Sequence, residues 1–256
     1  MNDPTVDGDG GEGATGRRSA SGTRPPVPAT RHPELRPPRQ IAIDGPAGAG
    51  KSTVAKGAAV ALGFTYVDTG AMYRAIALKV RRASCPESGW GALTEKAVIS
   101  FRRGPDGQRT ILDGEDVEDA IRAPEISDWS SRVSADPRVR TALTAQMKRI
   151  AETADVVMEG RDIGSVVLPH ATLKVFLNAP AGERARRRTA ELIARGKEAD
   201  YDKVLADILE RDERDCTRAD APLTLAADAV EVDTGGLSAD EVVRKIVGLA
   251  EERGCK

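Results

Sequence analysis

IAIDGPAGAGKST, residues 41–53, decides the fold. Ile41, Ala42 and Ile43 form a short apolar run that stops at Asp44-Gly45-Pro46. Such a run ahead of a Gly-rich turn predicts a buried parallel strand. From Lys51 to Leu62, Val54, Ala55, Ala58 and Ala59 recur as on a helix packed against a sheet, and Gly63 ends it. Between strand and helix, Gly45, Pro46, Ala47, Gly48, Ala49, Gly50, Lys51 and Ser52 fill the pattern G-x-x-x-x-G-K-[ST] in full, with Thr53 next. Glycines let the backbone wrap closely around phosphate and turn its N–H groups inward. The helix N-terminus adds the positive end of its dipole. Lys51 reaches toward β- and γ-phosphates and the Ser52 hydroxyl can join a Mg²⁺ shell. The motif points to a nucleoside triphosphate without saying what is done with it.

Working outward, the same alternation continues. Phe64 to Val67 reads as a second strand, and Asp68-Thr69-Gly70 turns into a helix from Ala71 to Arg82. The segment 94–122 changes character: two apolar runs flank Gly104-Pro105-Asp106-Gly107, a hairpin signal, and 114–117 adds a short strand. Helical patterning returns over 124–153. Further strands are expected at 155–159, 173–177 and 229–233, and helices from Ala181, over 201–217 and from Ser238, where Glu241 completes a capping pattern. Strands alternating with helices imply an α/β fold, a parallel sheet wound by helices on both faces, of the P-loop NTPase type. Residues 1–39 are rich in Gly, Pro, Ser, Thr and Arg and predict a disordered tail.

Composition excludes several alternatives. With 38 basic and 40 acidic side chains the chain is near neutral, so no global basic field draws it to nucleic acid. Aromatics are 3% of residues, too few for base-stacking platforms. Three scattered cysteines, Cys85, Cys216 and Cys255, suit thiols in a reducing cytosol rather than a disulfide framework or a zinc site. No apolar run approaches the ~18 residues of a membrane span. The first residues lack an apolar signal core, so the expectation is a cytoplasmic protein.

Two charged turns follow predicted strands and so land at the carboxyl edge of the sheet, where open α/β folds bind ligands. One is Thr69-Gly70-Ala71-Met72-Tyr73-Arg74, the other Glu159-Gly160-Arg161-Asp162-Ile163-Gly164. Arg184, Arg186, Arg187 and Arg188 crowd one helix, and Arg211, Arg214 and Arg218 another. Two such helices joined by the polar stretch 195–200 would make a lid carrying movable positive charge over a transferring phosphoryl group. A phosphate acceptor would need no general base, because its oxygen is already anionic. The absence of an Asn-Lys-x-Asp signature weighs against a GTPase.

Taken together, the segments IAIDGPAGAGKST, YVDTGAMYRAIAL, LDGEDVEDAIR, VSADPRVRTAL, EGRDIG and ERDERDCTRADAPL resemble bacterial cytidylate kinase, from about Ile41 to Gly248. The resemblance implies ATP and CMP or dCMP as small-molecule substrates, Mg²⁺ as cofactor, no nucleic-acid or membrane partner, and a monomer. It implies a kinase domain over 40–256, with a β-containing NMP-binding insert at about 69–153 and a short helical lid at about 184–218. Gly45 to Thr53 would hold the ATP phosphates, with Ser52 at the metal. Thr69, Arg74, Arg161 and Arg218 match positions holding the CMP phosphate; Ser131, Arg140 and Asp162 match cytosine-reading positions; Arg211 and Asp215 match residues near the sugar. Lys51, Arg161 and the lid arginines Arg184 and Arg188 would carry the catalysis. An ionised Asp162 accepts from the cytosine N4 amine and repels the O4 of uracil, while Arg140 donates toward O2 or N3. Thr69 stands where many relatives have Ser, and Ser52 where some have Gly. The remaining alternatives are a kinase for AMP, UMP or shikimate, and a P-loop switch or nucleic-acid-associated ATPase, which would turn over ATP without CMP.

Overall fold

The computed structural model describes residues 36–104, 107–194 and 196–255. The expected tail therefore lies outside the described residues up to position 35. At its end Arg39 is not loose: its backbone N donates to Asp155 Oδ1 at 2.6 Å and its guanidinium to Asp155 Oδ2, while it stacks 4.7 Å from the Phe64 ring centroid.

The strands β1 (Gln40–Asp44), β2 (Thr65–Asp68), β6 (Val156–Gly160), β7 (Leu173–Asn178) and β8 (Val230–Asp233) form a five-stranded sheet in the order β2-β6-β1-β7-β8, every pairing parallel. Period-2 alternation sorts the side chains onto two faces. Ile41, Ile43, Val157 and Val175 pack with Val54 and Ala58 of α1 (Lys51–Leu62) and Ile246 of α8 (Ala239–Glu252). Ala42, Val156 and Met158 pack with Met72 and Ile76 of α2 (Thr69–Arg82) and Leu143 and Met147 of α5 (Pro137–Thr153). Burial on both faces is why these strands read as continuous apolar runs. Ser238 and Glu241 form the expected capping box on α8.

A second, antiparallel sheet is built from β3 (Ile99–Gly104), β4 (Gly107–Leu112) and the two-residue β5 (Glu115–Asp116), as the hairpin signal required. Three local features depart from the sequence expectation. Asp68 caps α2 by accepting from Ala71 N, so the helix starts at Thr69 rather than Ala71. The helical region 124–153 is two helices, α4 (Pro124–Ser134) and α5, because Asp136 caps a new helix at Pro137. Beside them α3 (Trp90–Glu95) forms where no element was expected. After β7, α6 (Ala181–Ala194) and α7 (Tyr201–Thr217) pack together through Ala185, Val204 and Ile208. No helix of the described residues is long and apolar enough to cross a membrane.

Candidate active site

The central strand β1 ends at Asp44, with β6 and β7 on either side, so the turns after β1, β2 and β6 meet at one edge. Gly45, at φ 147°, begins the first turn; a Cβ there would sit 2.1 Å from Leu177 O on β7. Only glycine allows the chain to leave the sheet that closely. Lys51, at the start of α1, is buried and donates from Nζ to Pro46 O at 2.7 Å, across its own loop. Burial, then the neighbouring Arg161, push its ammonium down to about 7, against the pull of Glu159 and Asp44. Ser52 and Thr53 are exposed beside it.

Asp44 carries no role in the sequence reading. Its carboxylate is buried and accepts from Ile163 N at 2.8 Å and Gly164 N at 2.7 Å. It thereby ties the end of β1 to the turn carrying Arg161 and Asp162. Burial raises it to about 6, against those two backbone donors. Beyond it Tyr66 donates to Glu159 Oε1 at 2.6 Å and lies in hydrogen-bonding reach of Ser52.

The arginines at this edge are each held by a carboxylate. Arg74 on α2 pairs with Asp68 at 3.3 Å, and Arg122 of the insert reaches the same Asp68 oxygen at 3.4 Å. Arg74 Nε is buried with no hydrogen-bond partner. Burial and Arg122 lower its affinity for the proton, against Asp68. Arg161 donates from Nε to Asp215 Oδ2 at 2.7 Å, and Arg211 approaches that oxygen at 4.0 Å. Burial works against the Asp215 charge, but Arg161 and Arg211 hold the carboxyl below its usual range. Lys51, Arg74, Arg161 and Arg211 form a chain of neighbouring cations: Lys51 feels Arg161 and Arg211, and Arg211 feels Arg161 and Arg74. Such a convergence of cations beside a glycine loop suits a pair of polyanionic groups. Thr69, by contrast, directs its hydroxyl hydrogen to Glu159 O, donating a hydrogen bond at 2.6 Å.

A second cluster lies on α5 and the turn after β6. Arg140 is 4% exposed and donates from Nη2 to Asp162 Oδ2 at 2.5 Å and from Nε to Asp220 Oδ2 at 2.8 Å. Burial opposes its charge, but Tyr73, Asp162 and Asp220 raise its pKa on balance. Arg218 Nη2 sits 3.4 Å from the other Asp162 oxygen, buried and without a hydrogen bond. Tyr73 shares the electrostatic field of Arg140, Asp162, Arg218 and Asp220, and burial pushes its phenol up to about 12.

Three sequence-assigned residues have partners of their own in the free chain. Arg184 is not a free lid arginine: it is buried, donates from Nε to Ala179 O and from Nη1 to Ala47 O, and pairs with Asp212 at 2.7 Å. It ties the phosphate loop to α6 and α7, because Gly48 lets the Arg184 Cβ come within 3.1 Å, and its backbone O within 3.4 Å, of where Gly48 would carry a Cβ. Arg188 is exposed and pairs with Glu191 on its own helix. Ser131 bonds one turn back to Ser127 O. Asp44, Asp68, Tyr73, Arg122, Asp212 and Asp220, to which the sequence assigns no role, all stand inside the quoted segments. The partners of Asp44, Asp212 and Asp220 are remote in sequence, so spacing gives no signal for them.

A family model described as Cytidylate kinase matches residues 41–252. A protein named Cytidylate kinase from Carboxydothermus hydrogenoformans is 49% identical over 213 residues, covering 82% of this chain and 96% of that protein. One of the same name from Caldanaerobacter subterraneus subsp. tengcongensis is 51% identical over 210 residues, covering 81% and 92%. Among solved structures, the shikimate kinase from Acinetobacter baumannii in complex with shikimate is 17% identical with a TM-score of 0.43, covering 86% of this chain and 96% of that one.

Proposed function

The chain belongs to the cytidylate kinase family, and from that premise we propose how its parts divide the work of moving the γ-phosphoryl group of ATP to CMP or dCMP. The products are CDP or dCDP and ADP. We read residues 40–256 as the kinase domain, 69–153 as the insert that receives the monophosphate and 184–218 as the lid. The loop from Gly45 to Thr53 takes the ATP phosphates, and Lys51 leaves Pro46 O to follow the transferring group. Arg74, Arg161 and Arg218 take the CMP phosphate, Thr69 joining them once its hydroxyl turns away from Glu159 O, and Arg211 and Asp215 lie toward the sugar.

The observation that carries this reading is the chain of cations from Lys51 through Arg161 and Arg211 to Arg74, which joins the triphosphate loop to the edge of the insert. Two anionic phosphates repel, and a line of positive charge both brings them together and stabilises the charge that spreads over the transferring group. The attacking CMP oxygen carries no proton, so no base is required of the protein. Arg184 acts from behind, fixing the loop through Ala47 O; Arg188 has to leave Glu191 before it can contribute from the lid.

The donors at the loop also fit Mg²⁺. Ser52 offers a hard hydroxyl oxygen with Tyr66 and the Glu159 carboxylate behind it. No cluster of three or more His, Cys, Asp or Glu side chains able to hold a metal occurs among the described residues, which suits an ion held largely by substrate phosphates and water. Bound there, Mg²⁺ would neutralise phosphate charge. Arg140 and Asp162 read the base, Asp162 accepting from the cytosine amine, with Ser131 assigned to the same pocket by family position alone. The same reading gives a monomer working in the cytoplasm.

The test is ADP release by the purified full chain, measured side by side with CMP, dCMP, UMP, AMP, shikimate and no acceptor. Turnover that depends on CMP or dCMP is expected. Equal turnover without an acceptor would place the chain among ATP-hydrolysing switches, and a preference for another acceptor would overturn the base assignment.

A further inference from the structure

The guanidinium of Arg140 has two edges that can serve as a hydrogen-bonding fork. The side edge carries the Nε hydrogen and one Nη2 hydrogen; the end edge carries one hydrogen from each Nη nitrogen. Asp220 binds at Nε, which belongs to the side edge alone, and Asp162 binds at Nη2, which both edges share. Nη1 bonds nothing among the described residues, so its hydrogens are the ones left to a ligand. We propose that Asp220 is a positioning residue for base recognition, which holds Nε of Arg140 so that Nη1 faces the base and Asp162 keeps an oxygen for the cytosine amine. The proposal rests on the reading of Arg140 and Asp162 as base-reading residues.

Asp220 does not meet Arg140 as one mobile surface charge meets another. It lies in the short connection after α7, and that connection is tied on both sides. Leu223 N donates to Asp215 O at 2.8 Å, and Arg218 donates from Nε to Ala221 O at 2.6 Å. Ala221 has φ 47°, in the left-handed region that residues with a Cβ seldom adopt. A strained conformation of this kind persists only where its surroundings over-determine it. Two of the residues that do so, Asp215 and Arg218, belong to the site itself. The bend that strains Ala221 is the bend that turns Asp220 back onto Arg140.

The charges explain what Asp220 spares. Arg140 and Arg218 face Asp162 and Asp220, two against two. Without Asp220, Asp162 becomes the only carboxylate beside a guanidinium that is 4% exposed. Its favourable response is to close a two-pronged pair on the whole side edge, Nε as well as Nη2. Both Asp162 oxygens are then spent on Arg140, and the cytosine amine loses its acceptor. Uracil, which never used that acceptor, loses less. A residue that supported only the fold would lower the melting point and affect both nucleotides alike.

The experiment compares kcat/KM for CMP and UMP, and KM for ATP, in the wild type, Asp220→Ala, Asp220→Asn and Arg140→Gln, with melting curves for each. Asp220→Ala should raise KM for CMP and lower the CMP/UMP ratio by about threefold to tenfold, the range for one half-exposed charge-assisted hydrogen bond, with KM for ATP steady. Asp220→Asn, whose amide oxygen still accepts from Nε, should recover part of the ratio. If Arg140→Gln lowers the ratio and neither Asp220 variant does, the proposal fails while the base pocket stands. If Arg140→Gln leaves the ratio unchanged, the base-pocket reading fails and takes the proposal with it. A KM for CMP that falls in Asp220→Ala would mean that Asp220 obstructs the base rather than serving it.

Discussion

Binding of ATP to the free enzyme at pH 8 should take up close to one proton at Lys51. In the free chain its ammonium is enclosed by protein, bonded to Pro46 O and faced by Arg161, and its pKa falls to about 7. At pH 8 a group with that pKa is about nine-tenths neutral, and at pH 7 about half neutral. A triphosphate in the loop brings several negative charges against the nitrogen and restores the charged form. The last proton of a phosphate ester leaves near pH ~6, so at pH 8 the nucleotide has little of its own to release. Uptake should therefore be about 0.9 proton per ATP at pH 8 and nearer 0.5 at pH 7. Isothermal titration calorimetry in two buffers with different ionisation heats reads this number directly. Lys51→Met should abolish it and lower phosphoryl transfer by roughly 10²-fold or more. The same shift has a consequence for stability. A lysine depressed in the folded state contributes stability above its ordinary pKa of 10.5 and loses it as pH falls through about 7, so Lys51→Met should melt higher than the wild type at neutral pH. Asp44 runs the other way: its contribution is present below 3.8 and is lost as pH rises through about 6. A wild-type uptake near zero at pH 8, or equal uptake in Lys51→Met, would refute the argument.

Gly45→Ala should fail to fold or lose about 3 kcal/mol or more in urea unfolding, because its Cβ would lie 2.1 Å from Leu177 O on a strand that cannot retreat; a native unfolding midpoint would show that the turn has room. Asp162→Asn should lower the CMP/UMP ratio of kcat/KM by roughly tenfold to a hundredfold, since the amide can donate to uracil O4 where the carboxylate repelled it; equal losses for both nucleotides would mean that Asp162 only orients Arg140. Removing residues 1–35 should leave turnover and melting unchanged, as their composition predicts, whereas Arg39→Ala should cost about 1 kcal/mol through its Asp155 pair and its stacking on Phe64; a stability loss on truncation would mean that the tail packs on the core.

Most of the sheet was legible because its strands are buried on both faces and stand out as apolar runs between glycine turns. The phosphate loop was legible because its chemistry demands glycines, a lysine and a hydroxyl at fixed spacing. The parts that stayed hidden share a different cause. The break between α4 and α5 depends on a two-residue cap, Asp136-Pro137, inside a sequence that is helical on either side. The role of Arg184 depends on carbonyls at Ala179 and Ala47, and backbone acceptors have no letter in a sequence. Asp220 and Arg140 are 80 residues apart, and one aspartate among 40 acidic residues carries no mark of the arginine it will meet.

Those pairings also explain how a chain of net charge −2 can run a site for two polyanions. An arginine-rich cleft with no acids would repel itself in the free protein and attract any phosphate. Here Arg74 is stored on Asp68, Arg161 and Arg211 on Asp215, Arg184 on Asp212, and Arg140 between Asp162 and Asp220. A phosphate must share or replace these carboxylates, so the affinity that remains is a difference between two sets of charge-assisted bonds. A ligand with the wrong shape breaks pairs without replacing all of them, and the acids that keep the free enzyme folded thus also set what it rejects. Lys51 stands apart, because its free-state partner is a carbonyl rather than a carboxylate. It can give up that bond without leaving an acid unpaired, which suits the proposed role of travelling with the phosphoryl group.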